Sequence, residues 1–382
     1  MTAGRQAELS AGTTLEALPR ADVAPMELPW NLGVGRERTT VLCAEVAHFE
    51  PQALAGLDIH GVEPPPGHFV TYDEYTPRRF SSATLTNLIA TRDAKALFAR
   101  PQGLVDELNV GGLEHPPLDL LRAEAARTDE GWRLSMRDVE YVGRPVVPLC
   151  HYGLDAFGHF VLDGLLQVYL HEDRLASGEA VLAHWPLGRA WMAPLLDICG
   201  ATVERRLTLR KATVVFRKAH VSSALAGHGV YFPATYSRDF FGWLRGKLGA
   251  GAGEAQGRVY VRRSPTDARR VVNQDLLEAM LVARGFEVVD PASATVREQA
   301  ERIARAEVLM SPWGSSMTLA PLVGGRRIVV ELTPANATDA WFLRQAVVHG
   351  LDYRPVLHQM TEEGHMVADL ALIDRRLSAL QC

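Results

Sequence analysis

The hydrophobic pattern is most regular in the last third of the chain, where short apolar runs alternate with stretches of helical period. Val259–Val261 and Phe286–Val289 read as strands, and Val308–Met310 and Ile328–Leu332 are continuous apolar ones. Strands of that kind are buried on both faces, as in a parallel sheet covered by helices. Between them Leu276, Leu277, Met280 and Leu281 form one apolar helix face, with Asn273 as its predicted N-cap and Gly285 as its stop. Thr295 followed by Glu298 spells a capping box that opens another helix. Strands and helices alternating through short links predict a doubly wound parallel sheet.

A less regular version of the pattern starts at Pro148. Phe160, Val161, Leu165, Val168 and Tyr169 recur near helical period. Ala180–His184 reads as a strand, Leu187–Cys199 as a helix closed by Gly200, and Leu207–Phe216 as one or two further strands. A connecting helix follows over Ser237–Leu248. Upstream, Met26–Val147 is irregular and rich in proline and glycine, with strand-like runs at Thr39–Val46 and Glu140–Val147. Gly251 and Gly253 have no strand before them, so they read as linker and not as a dinucleotide fingerprint. The expected organisation is a leader over 1–25, a β-rich N-terminal extension over 26–147 and a Rossmann-like acceptor lobe over 148–248. A linker over 249–257, a Rossmann-like donor lobe over 258–360 and a C-terminal helix within 361–382 complete it. In such two-lobe folds the ligand sits in the crevice at the carboxyl ends of the strands.

Composition narrows the class. An apolar fraction of 47% and a charged fraction of 22% are those of a soluble globular protein. A formal charge of −5 argues against a nucleic-acid partner. Cys43, Cys150, Cys199 and Cys382 are far apart with no CxxC spacing, which predicts neither a disulfide framework nor a zinc site and suits a reducing compartment. The first residues lack the apolar core of a signal peptide, and no run approaches the ~20 apolar residues that span a bilayer. A cytoplasmic location is expected, with peripheral membrane contact left open.

The candidate chemistry is anion binding. Residues 306–332 read as strand, turn, short helix and strand, which aims backbone N–H groups and a helix N-terminus at one spot above the sheet. Gly314, Ser315, Ser316 and Thr318 line that turn. Upstream, Arg258, Arg262, Arg263, Arg269 and Arg270 cluster around the strand beginning RVYV. Together they suit a nucleotide diphosphate, although arginines of this kind also make solvated strand edges. Arg262 is assigned to solvent, because neighbours on a strand face opposite ways. Glu331, read as the end of a buried strand, is placed to accept from ribose hydroxyls or to serve a following helix start; Asp339 is a weaker candidate. Imidazole suits proton abstraction near neutral pH, which makes His159 a candidate base with Asp163 four residues on to orient it. His151 and Asp155 form a rival pair. Trp313 could stack on a ligand or simply pack, and His349, His358 and His365 read as core or loop residues.

Several segments together resemble glycosyltransferase family 61. They are Tyr260–Arg263 followed by Arg269–Asn273, Gly285–Val289, Glu298-Gln299 before the helix ending in Ala306, and the glycine turn followed by VVEL. Upstream, Ala156–Phe160 with Asp163 is similar to the family's aromatic-rich histidine stretch. The resemblance covers about Cys150 to Leu357. It departs at the turn, where Trp313 and Leu319 stand in place of the family's histidine and asparagine. The resemblance implies a GT-B-like α/β fold and an inverting transferase of hexosyl or pentosyl type. The donor would be a nucleotide sugar, by family habit a UDP-sugar. The acceptor would be a glycan or glycolipid in bacterial surface or capsular polysaccharide assembly. It assigns Arg263, Arg269 and Asn273 to the donor. No Asp-x-Asp pair is present, so no metal or other cofactor is expected. Two other readings are a nucleotide-sugar epimerase and a catalytically degenerate binding or scaffold protein. The residues do not fix an oligomeric state.

Overall fold

The computed structural model describes residues 139–380 except 151–152, 232, 234–235, 252–255, 265–268, 325–326 and 335–340, together with segments 39–43, 60–61, 80–92, 97–99, 103–104, 125–128 and 131–134. Two compact units emerge, one from Met1–Val46 and Arg78–Phe232, the other from Ala47–Pro77 and Pro233–Cys382. In chain order the strands begin β1 (Thr39–Cys43), β2 (His60–Gly61), β3 (Phe80–Thr91), β4 (Leu97–Ala99), β5 (Gly103–Leu104), β6 (Ala125–Thr128) and β7 (Gly131–Leu134). They continue β8 (Val139–Val142), β9 (Val146–Pro148), β10 (Val181–His184), β11 (Arg206–Thr208) and β12 (Thr213–Ser222). The last five are β13 (Arg258–Val261), β14 (Phe286–Val289), β15 (Val308–Pro312), β16 (Ile328–Pro334) and β17 (Asp352–His358).

The second unit follows the pattern of its sequence. Its sheet runs β14-β13-β15-β16-β17-β2, and every pairing in it is parallel. On one face Tyr260, Val308, Met310, Val330, Leu332 and Val356 pack with Leu277 and Leu281 of one helix and Ile373 and Leu377 of the last. Burying each such large side chain contributes about 1.5–3 kcal/mol. The helices Tyr236–Leu248, Val296–Arg305 and Trp341–His349 pack on one another and on the short helix Ser315–Leu322 as a separate layer. The capping box forms as expected, Thr295 Oγ1 accepting from the Glu298 N–H while Glu298 accepts from the Thr295 N–H.

Two local expectations change here. The main segment of the unit begins at Pro233, upstream of 258, because Tyr236–Leu248 buries Phe240, Phe241, Leu244 and Leu248 within it and is tied down by Arg297 Nη1 on Leu248 O. The expected short helix after the glycine turn forms as a 3-10 helix, with Pro321 inside it. Asn273 holds the N-cap position of helix Gln274–Ala283, but its side chain does not cap. Its amide instead brackets the Ala368 backbone, accepting from N at 2.9 Å and donating to O at 2.8 Å.

The first unit departs further from a Rossmann-like lobe. Its sheet is mixed, in the order β11-β10-β9-β12-β3-β4-β5, with β1 on β3 and β8 on β12. β3, from the stretch expected to be a separate extension, pairs antiparallel with β12 from Thr213↔Thr91 to Ser222↔Ser82. Leu85, Leu88 and Leu97 thereby join Val146, Val214 and Phe216 in one core. The ladder skips Asn87, φ 56°, without a change of register, and asparagine tolerates that left-handed backbone. The parallel part of this sheet runs β11-β10-β9-β12, with β8 also parallel to β12.

Candidate functional site

In the second unit the parallel strands end where the glycine turn begins. Gly314 adopts φ 139°, ψ −168°, a region open essentially to glycine alone. The missing side chain has a consequence. A Cβ on Gly314 would lie 2.5 Å from Arg263 Nη1, so the guanidinium rests directly on the turn backbone. Arg263 Nη1 also donates to Trp313 O at 2.6 Å, which fixes the guanidinium on the turn. Ser311 Oγ bridges Val261 O and Ser316 Oγ, each at 2.8 Å, tying β13 and β15 to the first turn of the 3-10 helix.

Arg269 sits differently. Its side chain is exposed, and its guanidinium carbon lies 4.2 Å from the centroid of the Trp313 ring. Its φ of 61° is left-handed, shared among the described non-glycine residues only with Asn87. Such strain costs of order 1 kcal/mol and collects at ligand clamps and switch regions. Trp313 therefore serves both cations, through its carbonyl for Arg263 and its ring for Arg269. Three buried polar atoms of this region, Trp313 Nε1, Thr318 Oγ1 and Glu331 Oε1, have no hydrogen-bond partner among the described residues. Ser315 and Ser316 are half-buried and Thr318 is buried.

Glu331 lies in the middle of β16, not at its end, because the strand continues to Pro334. It stands beside Ser311 in register and is 2% exposed. The Tyr353 hydroxyl donates to its Oε2, and Thr333 Oγ1 lies 3.4 Å from the same oxygen. Burial raises its carboxyl to about 7, against the pull of these two hydroxyls. Arg262, expected in solvent, lies just past the end of β13, half-buried and paired with Glu278 at 3.3 Å. Arg258 donates to Arg284 O, and Arg270 is exposed. Asn273 spends its amide on Ala368. Asp339 lies outside the described residues.

The first unit holds the second cluster. A helical stretch from Phe157 to Leu170 contains a π-helical segment, Phe160–Leu165, a form that recurs at functional sites. Phe157 and Phe160 set their rings edge-on to Trp191 at 5.2 and 5.0 Å, which anchors the stretch. His159 Nδ1 meets Asp163 Oδ2 at 2.8 Å. Asp163 is fully buried, and its Oδ1 accepts from the Val230 N–H at 3.2 Å. Burial raises the Asp163 carboxyl, while His159 and the Val230 and Gly229 backbone pull it down. Two glycines make room: a Cβ on Gly153 would come within 2.8 Å of the His159 ring, and one on Gly229 within 1.7 Å of Leu162 O. With Nδ1–H directed at a carboxylate, the basic lone pair belongs to Nε2.

The rival pair cannot be placed, because His151 lies outside the described residues. Of the other histidines, His349 meets Ser237 Oγ at 3.1 Å and His358 Nδ1 accepts from the Asp369 N–H. Burial pushes His349 down to about 3 and His358 to about 4. Sequence reasoning did not find Ser311, Tyr353 or the Gly229-Val230 backbone. Tyr353 lies 22 residues from Glu331 and Val230 lies 67 from Asp163, so only the fold brings them together.

Among the described residues no helix is long and apolar enough to cross a membrane. No curated protein matches the chain. Residues 157–323 match the family model described as Glycosyltransferase 61. That stretch contains the His159–Asp163 pair, Arg263, Arg269 and the whole glycine turn, and over it the chain resembles glycosyltransferase family 61, which indicates a glycosyltransferase.

Proposed function

We propose that this chain transfers a sugar, with inversion and without a metal, from a nucleoside-diphosphate sugar to a glycan or glycolipid hydroxyl. The donor is read as a UDP-sugar. The observation that carries the reading is Arg263, held by the Trp313 carbonyl and pressed on Gly314 with no side chain between. A guanidinium fixed before reaction, next to the backbone of a helix start, suits charge that grows on a departing diphosphate. Arg269 adds a second cation, and Ser315, Ser316 and Thr318 add donors. Glu331, with one oxygen unpartnered among the described residues, would accept from a donor hydroxyl. Asn273 takes no part, since its amide is engaged elsewhere.

His159 is the acceptor base in this reading. As the acceptor oxygen bonds to the anomeric carbon, the bond from that carbon to the β-phosphate oxygen breaks. The acceptor proton passes to His159 Nε2, and the nucleoside diphosphate leaves with the bond's electron pair. Asp163 holds the ring in the tautomer that exposes a lone pair at Nε2 and steadies the imidazolium that forms. Donor turnover tests the proposal. Incubation with UDP-sugars and candidate acceptors should release UDP with a glycoside of inverted anomeric configuration, also in the presence of a chelator. Interconversion of the donor sugar without UDP release would point to epimerisation instead, and donor binding without turnover would oppose an enzyme.

A further inference from the structure

The two arginines of the cradle differ in a way that the proposed donor role alone does not require. Arg263 is built in: its Nη1 is bonded to the backbone and its guanidinium lies where a Cβ would be. Arg269 is exposed, is carried on a left-handed backbone, and lays its charge on the Trp313 ring at 4.2 Å. An exposed contact of that kind is worth only about a two- to fivefold factor. A charge-assisted bond from guanidinium to phosphate is worth about ten- to a hundredfold. A diphosphate beside Gly314 therefore outbids the ring for Arg269. Once the guanidinium leaves, an aromatic face next to the phosphate site is uncovered. Trp313 Nε1 is buried with no acceptor among the described residues.

Resting on the donor-site reading, we propose that Trp313 is the platform for the donor's nucleobase. Arg269 covers that platform in the free protein and exchanges it for the diphosphate when the nucleotide enters. The device couples the two ends of the ligand, because phosphate removes the occupant that blocks the base. Trp313 thus sets preference for a nucleoside diphosphate over free pyrophosphate, and Arg269 sets preference for a diphosphate over a nucleoside.

Calorimetric titration of the full chain with UDP, uridine and inorganic pyrophosphate tests this. Arg269→Asn removes the cation while tolerating the left-handed backbone. It should weaken pyrophosphate about ten- to a hundredfold and tighten uridine about two- to fivefold. Trp313→Leu should abolish uridine binding and, by releasing Arg269, tighten pyrophosphate about two- to fivefold. Arg269→Lys, which keeps a charge, should bind pyrophosphate between the two extremes, and unchanged melting midpoints would show that each variant is folded. Uridine binding that weakens in Arg269→Asn, or that is undetectable in every variant while the wild type binds UDP, overturns the exchange and leaves the donor site standing. A wild type that binds neither UDP nor pyrophosphate overturns the donor-site reading itself and the exchange with it.

Discussion

The His159 cluster and the Arg263 cradle are built on opposite plans. The histidine and its carboxylate come from one helical stretch, four residues apart, and meet at 2.8 Å. The cradle gathers a strand exit, a glycine turn and an arginine fifty residues upstream of the carbonyl it holds. Local pairing makes the first cluster depend on helix geometry and on two glycines that clear space. Remote assembly makes the second depend on the order of strands β13, β15 and β16. The difference teaches where each is fragile: one in its chemistry, the other in its backbone.

The largest expected effect separates the chemistry from the scaffold. His159→Gln should lower the transfer rate about 10²–10⁴-fold while donor affinity stays unchanged, measured by turnover beside titration. A parallel loss of donor affinity would mean that the two clusters do not divide the work in this way. Next comes Gly314→Ala, which forces a side chain into a glycine-only backbone region and within 2.5 Å of Arg263 Nη1. The strain alone costs about 1–3 kcal/mol. Thermal unfolding should show it, with UDP affinity falling as well. Unchanged stability would contradict the close approach of Arg263.

A smaller effect concerns Glu331. Its carboxyl is raised to about 7 in the folded unit against a reference of 4.5. The folded state holds a proton that the unfolded chain releases, so this contribution is full below pH ~4.5 and lost as pH rises through ~7. His349 and His358 act oppositely: held low by burial, they favour the folded state above pH ~6.5 and cost stability as pH falls toward ~4. Glu331→Gln removes only the first trend. Its melting midpoint should fall less between pH 5.5 and pH 8 than that of the wild type, and equal falls would show that Glu331 ionises freely. Smallest is Arg262→Gln. Its partner is Glu278, such pairs contribute about 0–1 kcal/mol, and UDP affinity should not move.

These contrasts match what the sequence could and could not reveal. The parallel half of the fold was legible because β13, β15 and β16 are apolar on both faces and the helix starts carry capping chemistry, as Thr295 and Glu298 do. The mixed sheet was not, because the stretch Phe80–Thr91 finds its partner β12 far along the chain, a pairing that no local periodicity encodes. Pairing at i, i+4 made His159 with Asp163 readable, whereas strand alternation misplaced Arg262 in solvent, because β13 ends at Val261 and Glu278 claims the guanidinium. Asn273 misled, since an asparagine before a helix is usually a cap and here a distant backbone claims it. Glu331 misled in position, because the ladder to β17 carries its strand on to Pro334.

Titration of UDP into the wild type and into Arg263→Gln, with melting curves to confirm that both are folded, reaches the central claim most directly. The account predicts binding by the wild type and a loss of about ten- to a hundredfold in the variant. Equal affinity in both proteins, or no UDP binding by the wild type, would contradict it.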